Sequence, residues 1–186
     1  MTYRRRILVL PVAAIVILGL VAYKLTRSYP RQAEVVENLA DVRPAEPFSA
    51  YDPDNKPVRL GAYLGRHRIV LVFFDGGAGI GGDSVLRELR QNYKRLRSSG
   101  VIVLAISTAL PQTNRKAFEQ IGRFPFPVLS DPGLNVHNPW GRVDANGKPI
   151  PGLFIIDRAG NVAWKDGKPK PADNAEQTVL RIISAI

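Results

Sequence analysis

From Phe48 onward the chain alternates between short apolar runs and helical patterns. RIVLVFF (Arg68–Phe74) and VIVLAIS (Val101–Ser107) are continuous apolar runs, the pattern of strands buried on both faces. Between them, DSVLRELRQNYKRLRSSG carries Val85, Leu86, Leu89, Tyr93 and Leu96 at helical spacing and closes on Gly100. That predicts an amphipathic helix with a glycine stop. Pro111 to Ile121 reads as a second helix, with its proline in the first turn. FPVLSDP predicts a short strand and a turn. GLFIIDRAGNVAWKDG predicts a strand, a tight turn at Asp157–Gly160 and another strand. FSAYDPDNKPVRL predicts a hairpin, with turn chemistry from Asp52, Pro53, Asp54 and Asn55. An amphipathic helix is expected over Asn174–Ile186. Strand and helix in alternation, followed by a hairpin, predict an α/β architecture: a central mixed sheet flanked by helices.

The N-terminal part has a different pattern. Ile7 to Tyr23 is an uncharged apolar run that directly follows Arg4, Arg5 and Arg6. Its length is at the lower edge of what spans a bilayer as a helix, and Tyr23 and Lys24 suit the interface. A cleaved signal peptide is the rival reading, but Leu20-Val21-Ala22 puts leucine where a small residue is wanted. Residues 1–25 are therefore expected to be a basic tip and a single transmembrane anchor. Residues 26–45, which carry Pro30 and Pro44 and no lasting period, are expected to be a tether, and 46–186 the folded domain. The arginines favour a cytoplasmic N-terminus and an extracytoplasmic domain.

Composition narrows the chemistry. The 186 residues allow one ordinary domain plus an appendage. Cysteine is absent, which excludes disulfides, thiolate metal sites and cysteine nucleophiles. The only imidazoles are His67, beside Arg66 and Arg68, and His137, in LNVHNPWG. Neither has a sequence partner that would make a metal site, so no metal and no cofactor are expected. Trp140 and Trp164 read as packing residues. The net charge of +10 favours anionic partners. Arg87, Arg90, Lys94 and Arg97 form a basic stripe opposite the apolar face of their helix. Such a stripe is a solvated face, or a surface for anionic headgroups on a tethered domain. Aromatics do not interleave with it, so no nucleic-acid partner is expected.

Between the first buried strand and its helix lies DGGAGIGGDS, with five glycines among Gly76–Gly82. Gly77 to Gly82 fits G-x-G-x-x-G, whose amides cradle a pyrophosphate in dinucleotide sites. The second strand, however, ends ISTAL without the acid that would hold a ribose. No Lys-Ser/Thr pair follows the loop. Asp83 stands at the helix start, where it competes with a phosphate for the same amides. An anion or nucleotide site stays open as a lesser alternative. Asp75 is either a general base or a carboxylate bonded to the loop amides. Ser84 has no nucleophile elbow around it and reads as a first-turn helix residue.

The order and spacing of RIVLVFF, LRELRQNYKRLRSSGVIVLAIST, FPVLSDP and PGLFIIDRAGNV resemble the alkyl hydroperoxide reductase/thiol-specific antioxidant branch of the thioredoxin-like superfamily, the peroxiredoxins and redoxins. The resemblance covers about two thirds of the chain and implies a thioredoxin-like fold and thiol oxidoreductase or antioxidant activity. It places Gly82 where peroxiredoxins carry the peroxide-attacking cysteine, Gly79 at their active-loop threonine and Asp75 at their proline. Gly79 and Gly82 also fall on the two cysteines of the thioredoxin pattern. Pro151 stands where peroxiredoxins carry an arginine and thioredoxins a cis-proline, so a cis Ile150–Pro151 bond is expected. The glycine loop thus resembles an emptied redox site. A protein or peptide is expected across Asp75, Gly79, Ile80, Gly81, Gly82, Ile150 and Pro151, with Ile80 and Ile150 lining a shallow groove. The alternative is family-type redox activity that relies on a partner's thiols.

Overall fold

A computed structural model describes residues 43–77 and 79–165. The expected anchor, the tether up to residue 42 and the helix at Asn174–Ile186 lie outside the described residues. The elements in chain order are β1 (Arg43–Pro44), β2 (Ser49–Tyr51), β3 (Pro57–Arg59), β4 (Arg68–Phe73), α1 (Gly79–Gly82), α2 (Ser84–Ser98), β5 (Val101–Ser107), α3 (Pro111–Ile121), β6 (Val128–Ser130), β7 (Gly152–Ile156) and β8 (Asn161–Lys165). They form one mixed sheet in the order β1-β8-β7-β4-β5-β6-β2-β3. β4 and β5 run parallel, with Arg68 opposite Val101 and Phe73 opposite Ile106. β7 pairs antiparallel on the other side of β4, with Gly152 opposite Phe73 and Ile156 opposite Ile69. This is the mixed sheet that the alternation of strand and helix predicts.

The continuous apolar runs divide by parity, because successive strand side chains point to opposite faces. Val70, Val72, Phe74, Val101, Val103, Leu153 and Ile155 pack with Leu86, Leu89 and Leu96 of α2 and Phe118 of α3. Ile69, Leu71, Phe73, Ile102, Leu104, Ile106, Phe154 and Ile156 pack on the other face with Leu60, Val136 and Trp140. Trp140, Phe73 and Phe154 cluster there, the Trp140 and Phe154 rings meeting edge-on at 4.9 Å. Complete burial of each such side chain is worth about 2–3 kcal/mol. Gly100 and Gly122, at φ +77° and +76°, let the chain turn out of α2 and α3.

The domain begins slightly earlier than the composition indicates. Arg43 and Pro44 pair with Val162 and Asn161 of β8, and Ala45 is buried. These three residues had been assigned to the tether. A two-residue edge strand has no readable period, and proline is tolerated there because an edge strand needs few donors.

The interior also holds a polar pair. Asp131 follows β6, and its carboxylate accepts the backbone N–H groups of Asn135, Val136 and His137 at 2.8–2.9 Å. Nδ1 of His137 lies 2.7 Å from Asp131 Oδ2, and since an ionised carboxylate only accepts, the ring donates from Nδ1. His137 is 1% exposed and Asp131 5%, and the imidazole meets the Phe73 ring edge-on at 4.9 Å. Burial alone would raise the Asp131 carboxyl, but hydrogen bonds from the His137 ring and from the His137 and Val136 amides outweigh it. The carboxyl is held below its ordinary range.

The sign of the pH effect follows from that shift. A carboxyl depressed on folding contributes stability above its unfolded pKa of about 4, and this is lost as pH falls through the lower folded value. Thermal unfolding of the full chain should therefore show steep destabilisation below about pH 4. Asp131→Asn should cost about 3 kcal/mol at neutral pH and flatten the acid limb. An unchanged acid limb in the variant would refute this role for Asp131.

Candidate functional site

The glycine loop leaves the sheet where β4 ends. The Phe74 N–H still donates to the Ile106 carbonyl at 3.0 Å, so the strand alignment holds up to the residue before Asp75. Asp75 Oδ1 accepts from the Gly77 N–H at 2.8 Å, as one of its two expected roles required. Gly76 sits so close to the start of α3 that a Cβ there would lie 3.0 Å from the Ala109 nitrogen. Gly79 enters α1 at φ +72°, a conformation that glycine adopts at little cost. α1 is a single turn packed near α3, where a Cβ on Gly81 would lie 3.5 Å from the Ile121 side chain.

Asp83 then breaks the helical path. It is extended, at φ −75° and ψ 121°, and its Oδ1 accepts from the Leu86 N–H at 2.9 Å. This is a side-chain N-cap for α2. Burial pushes the Asp83 carboxyl up. The Leu86 and Val85 amides and Arg87 oppose this, and Asp75 adds to the rise. The loop therefore carries two of its own carboxylates, each engaged with a nearby backbone donor. A phosphate here would compete with both of them for amides.

The placement of the remaining site residues is mixed. Because Gly152 pairs with Phe73, Pro151 stands at the end of the sheet from which the loop departs. The peptide bonds among the described residues are all trans, so the expected cis Ile150–Pro151 bond is corrected. The proline is accommodated ahead of β7 in the ordinary isomer of an X–Pro bond. Without the cis bond, the analogy to thioredoxin peptide binding at this point is weakened. Ile80 is also corrected. It is 1% exposed and packs in the core with Phe74, Leu86 and Leu153 rather than lining a groove. Gly81 and Gly82 are exposed, while Ile150 and Pro151 are half-buried.

Three neighbours of the site, two on α3 and one on a later loop, were missed from sequence. Leu110 and Ile121, at opposite ends of α3, are 45% and 37% exposed, and a Cβ on Gly81 would lie 3.5 Å from the Ile121 side chain. A helical pattern does not say which of its end residues stay open. The third neighbour is Arg142, whose guanidinium lies over the Phe154 ring at 5.3 Å and whose Nη1 is 3.5 Å from the Pro151 carbonyl oxygen. A side chain at Gly152 would collide with it. A guanidinium thus reaches the start of β7 from a loop ten positions upstream of Gly152.

The basic stripe is exposed on α2 at Arg87, Arg90, Lys94 and Arg97, but its members are not equivalent. Arg90 donates to the Ile121 carbonyl at 3.2 Å and lies over the Phe124 ring at 4.9 Å. It thereby closes the C-terminal end of α3, where a cation is favoured. His137 is the buried partner of Asp131, and Trp140 packs in the core as expected. Among the described residues, no group of three or more His, Asp and Glu is placed to hold a metal ion. No helix among them is long and apolar enough to cross a membrane.

Residues 42–165 match the model of the AhpC/TSA family. The chain is 28% identical over 138 residues to a chloroplastic peroxiredoxin Q of Suaeda salsa, covering 72% of this chain and 64% of that one. It is 29% identical over 119 residues to the Triticum aestivum protein of the same name, covering 63% and 54%. The chain thus spans a little over half to about two thirds of the length of these relatives. In fold it is similar to the crystal structure of the Mycobacterium tuberculosis peroxidoxin BcpB, with a TM-score of 0.67 and 24% identity, covering 78% of this chain and 96% of that one. Xanthomonas campestris peroxiredoxin Q gives a TM-score of 0.64 at 17% identity, with 75% and 92% covered. These likenesses are to thioredoxin-like peroxiredoxin folds, and with the matched span they establish that the chain belongs to the AhpC/TSA family.

Proposed function

We propose that this chain is a membrane-anchored peroxiredoxin-fold module that binds a protein partner at its glycine loop and does not itself reduce peroxides. One observation carries the reading: Gly82 stands where the resemblance puts the attacking cysteine, and the chain has no cysteine anywhere. The family's chemistry requires a thiolate at this helix start, and no residue of the loop replaces it. Asp75 and Asp83 spend their oxygens on the Gly77 and Leu86 amides. What the loop offers instead is bare backbone between two exposed apolar side chains, Leu110 and Ile121, a surface suited to another polypeptide. The anchor reading rests on Ile7–Tyr23 and its preceding arginines.

A second reading is favoured by the family match itself. Here the module still serves thiol-dependent peroxide reduction, with the attacking thiolate supplied by a partner seated at the loop. The glycine-loop anion site is the weakest reading, because the loop's own carboxylates compete for its donors.

Three measurements separate these readings. The full chain in detergent with a dithiol reductant should turn over neither hydrogen peroxide nor an organic hydroperoxide above a heat-killed control. Turnover by the chain alone would defeat the non-catalytic reading, whereas turnover only in the presence of its captured partner would favour the second.

A photo-crosslinking residue at Gly82, which is exposed and free of positive φ, should trap a discrete partner in native membranes. The same residue at the exposed Ala159, in the turn between β7 and β8, should not. Equal labelling from both positions would sink the loop as the contact.

Membranes carrying the chain should retain it through alkaline carbonate extraction, and mass spectrometry should find Ile7–Tyr23 still attached. A mature N-terminus near Tyr23 would refute the anchor.

A further inference from the structure

The end of the domain opposite the loop is built from cations. β4 and β5 enter the sheet side by side, with Arg68 opposite Val101, and Arg66 is exposed two residues before β4. α2 ends at the same level, because Gly100 directly precedes β5 and its N–H donates to the Arg97 carbonyl at 3.0 Å. Arg95 and Arg97 occupy the last turn of α2, and both are exposed. The β7–β8 turn brings a fifth arginine. A Cβ on Gly100 would lie 3.5 Å from Nη2 of Arg158. Five arginines from three separate stretches of chain therefore meet at one pole. Among the described residues, the acids on the neighbouring stretches are Asp157 and Glu46. Asp157 Oδ1 is turned into its own loop, accepting from the Asn161 N–H at 2.8 Å. Glu46 follows Ala45, whose N–H donates to Gly160. Counted over the described residues, the pole keeps a net positive charge, with His67 between Arg66 and Arg68.

We propose that this arginine pole is a docking face for the anionic phospholipid headgroups of a bilayer, holding the domain with its glycine loop turned away from the surface. The inference builds on the anchor reading in one respect, which is that the anchor keeps the domain near a membrane. Nineteen residues separate Tyr23 from Arg43, a length that reaches at most about 65 Å. Such a tether turns binding of the pole into an intramolecular event at high effective concentration. Attraction of arginine to an anionic leaflet fades within a Debye length of about 8–10 Å. The loop stands at the other end of β4, roughly 17–20 Å away along the strand. Contact at the pole therefore leaves the loop beyond the range of the headgroups and open to a partner. The stripe on α2 contributes Arg97 to this face, while Arg90 is committed to Ile121 and Phe124.

The test is hydrogen exchange of the full chain on vesicles of phosphatidylglycerol mixed with phosphatidylcholine, against vesicles of phosphatidylcholine alone. Amides in 66–68, 95–100 and 157–160 should exchange about tenfold more slowly on the anionic vesicles, with 75–82 unchanged. The slowing should vanish at high salt. It should also vanish in R66E/R97E/R158E and persist in R66K/R97K/R158K. If the glutamate variant fails to fold, the lysine variant and the salt series still decide. Equal exchange on the two vesicles would overturn the proposal, as would slowing confined to the loop. Equal slowing by soluble polyglutamate without vesicles would assign the pole to an acidic polypeptide and also overturn it. Failure of the anchor would show separately, as release by carbonate, while failure of the pole would show as absent slowing on a chain that stays attached.

Discussion

Burial of β4 on both faces is the constraint from which the rest of the structure follows. Its odd and even residues enter two separate cores, so it can lie only in the middle of the sheet, with helices on one side and the Trp140 cluster on the other. Its neighbours then follow: β5 parallel on one edge and β7 antiparallel on the other. The segment that leaves β4 must emerge at the carboxyl end of a central parallel strand, the place where α/β sheets gather their functional loops. The site's location is thus a consequence of packing, independent of which residues occupy it.

The occupants give that place an unusual character. Glycine supplies the positive φ at Gly79 and the close approach of Gly76 to Ala109, which are backbone requirements. It supplies no reactive atom. Asp75 and Asp83 satisfy local amides and leave the loop with negative rather than positive character. A thiolate site needs the opposite, a helix start whose donors and neighbouring cations favour an anion. The departure that the resemblance implies is therefore distributed over several positions: Gly82 at the place of the attacking cysteine, Gly79 at that of the loop threonine, the carboxylates Asp75 and Asp83 beside them, and proline at 151 where an arginine is expected.

Much of this was legible in the sequence because the signals were local. Pro111 at a helix start and a glycine after Ile121 delimit α3 residue for residue. The unbroken apolar runs located β4 and β5 to within one residue. The loop's place between β4 and α2 was legible, but its surroundings were not. Ile80 looks available beside glycines, yet a one-turn helix rotates it into the core. Arg90 belongs to a regular basic stripe, but only the folded chain brings the end of α3 beneath it. The Asp131–His137 pair spans six positions in a stretch without period, so no pattern joined them. Arg142 reaches Pro151 through a long loop that periodicity does not describe. In each case the decisive contact is tertiary, and residue type alone does not encode it.

The polarity of the domain is the last consequence of the parallel core. Strand ends that are equivalent in a two-stranded antiparallel ribbon are distinct here, because β4 and β5 both enter at one pole and leave at the other. Charge has separated along this axis. The entering pole carries arginines contributed by the approach to β4, by the end of α2 and by the β7–β8 turn. The leaving pole carries Asp75, Asp83 and exposed apolar side chains, with the guanidinium of Arg142 reaching the start of β7. Cations in the last turn of α2 are favoured by the helix dipole and the aspartate at its N-cap is favoured likewise, so part of the separation follows from helix energetics alone. Arg66, Arg68 and Arg158 lie on strands and turns, where no helix dipole rewards them. That excess, rather than the stripe on α2, distinguishes the pole from an ordinary solvated helix end.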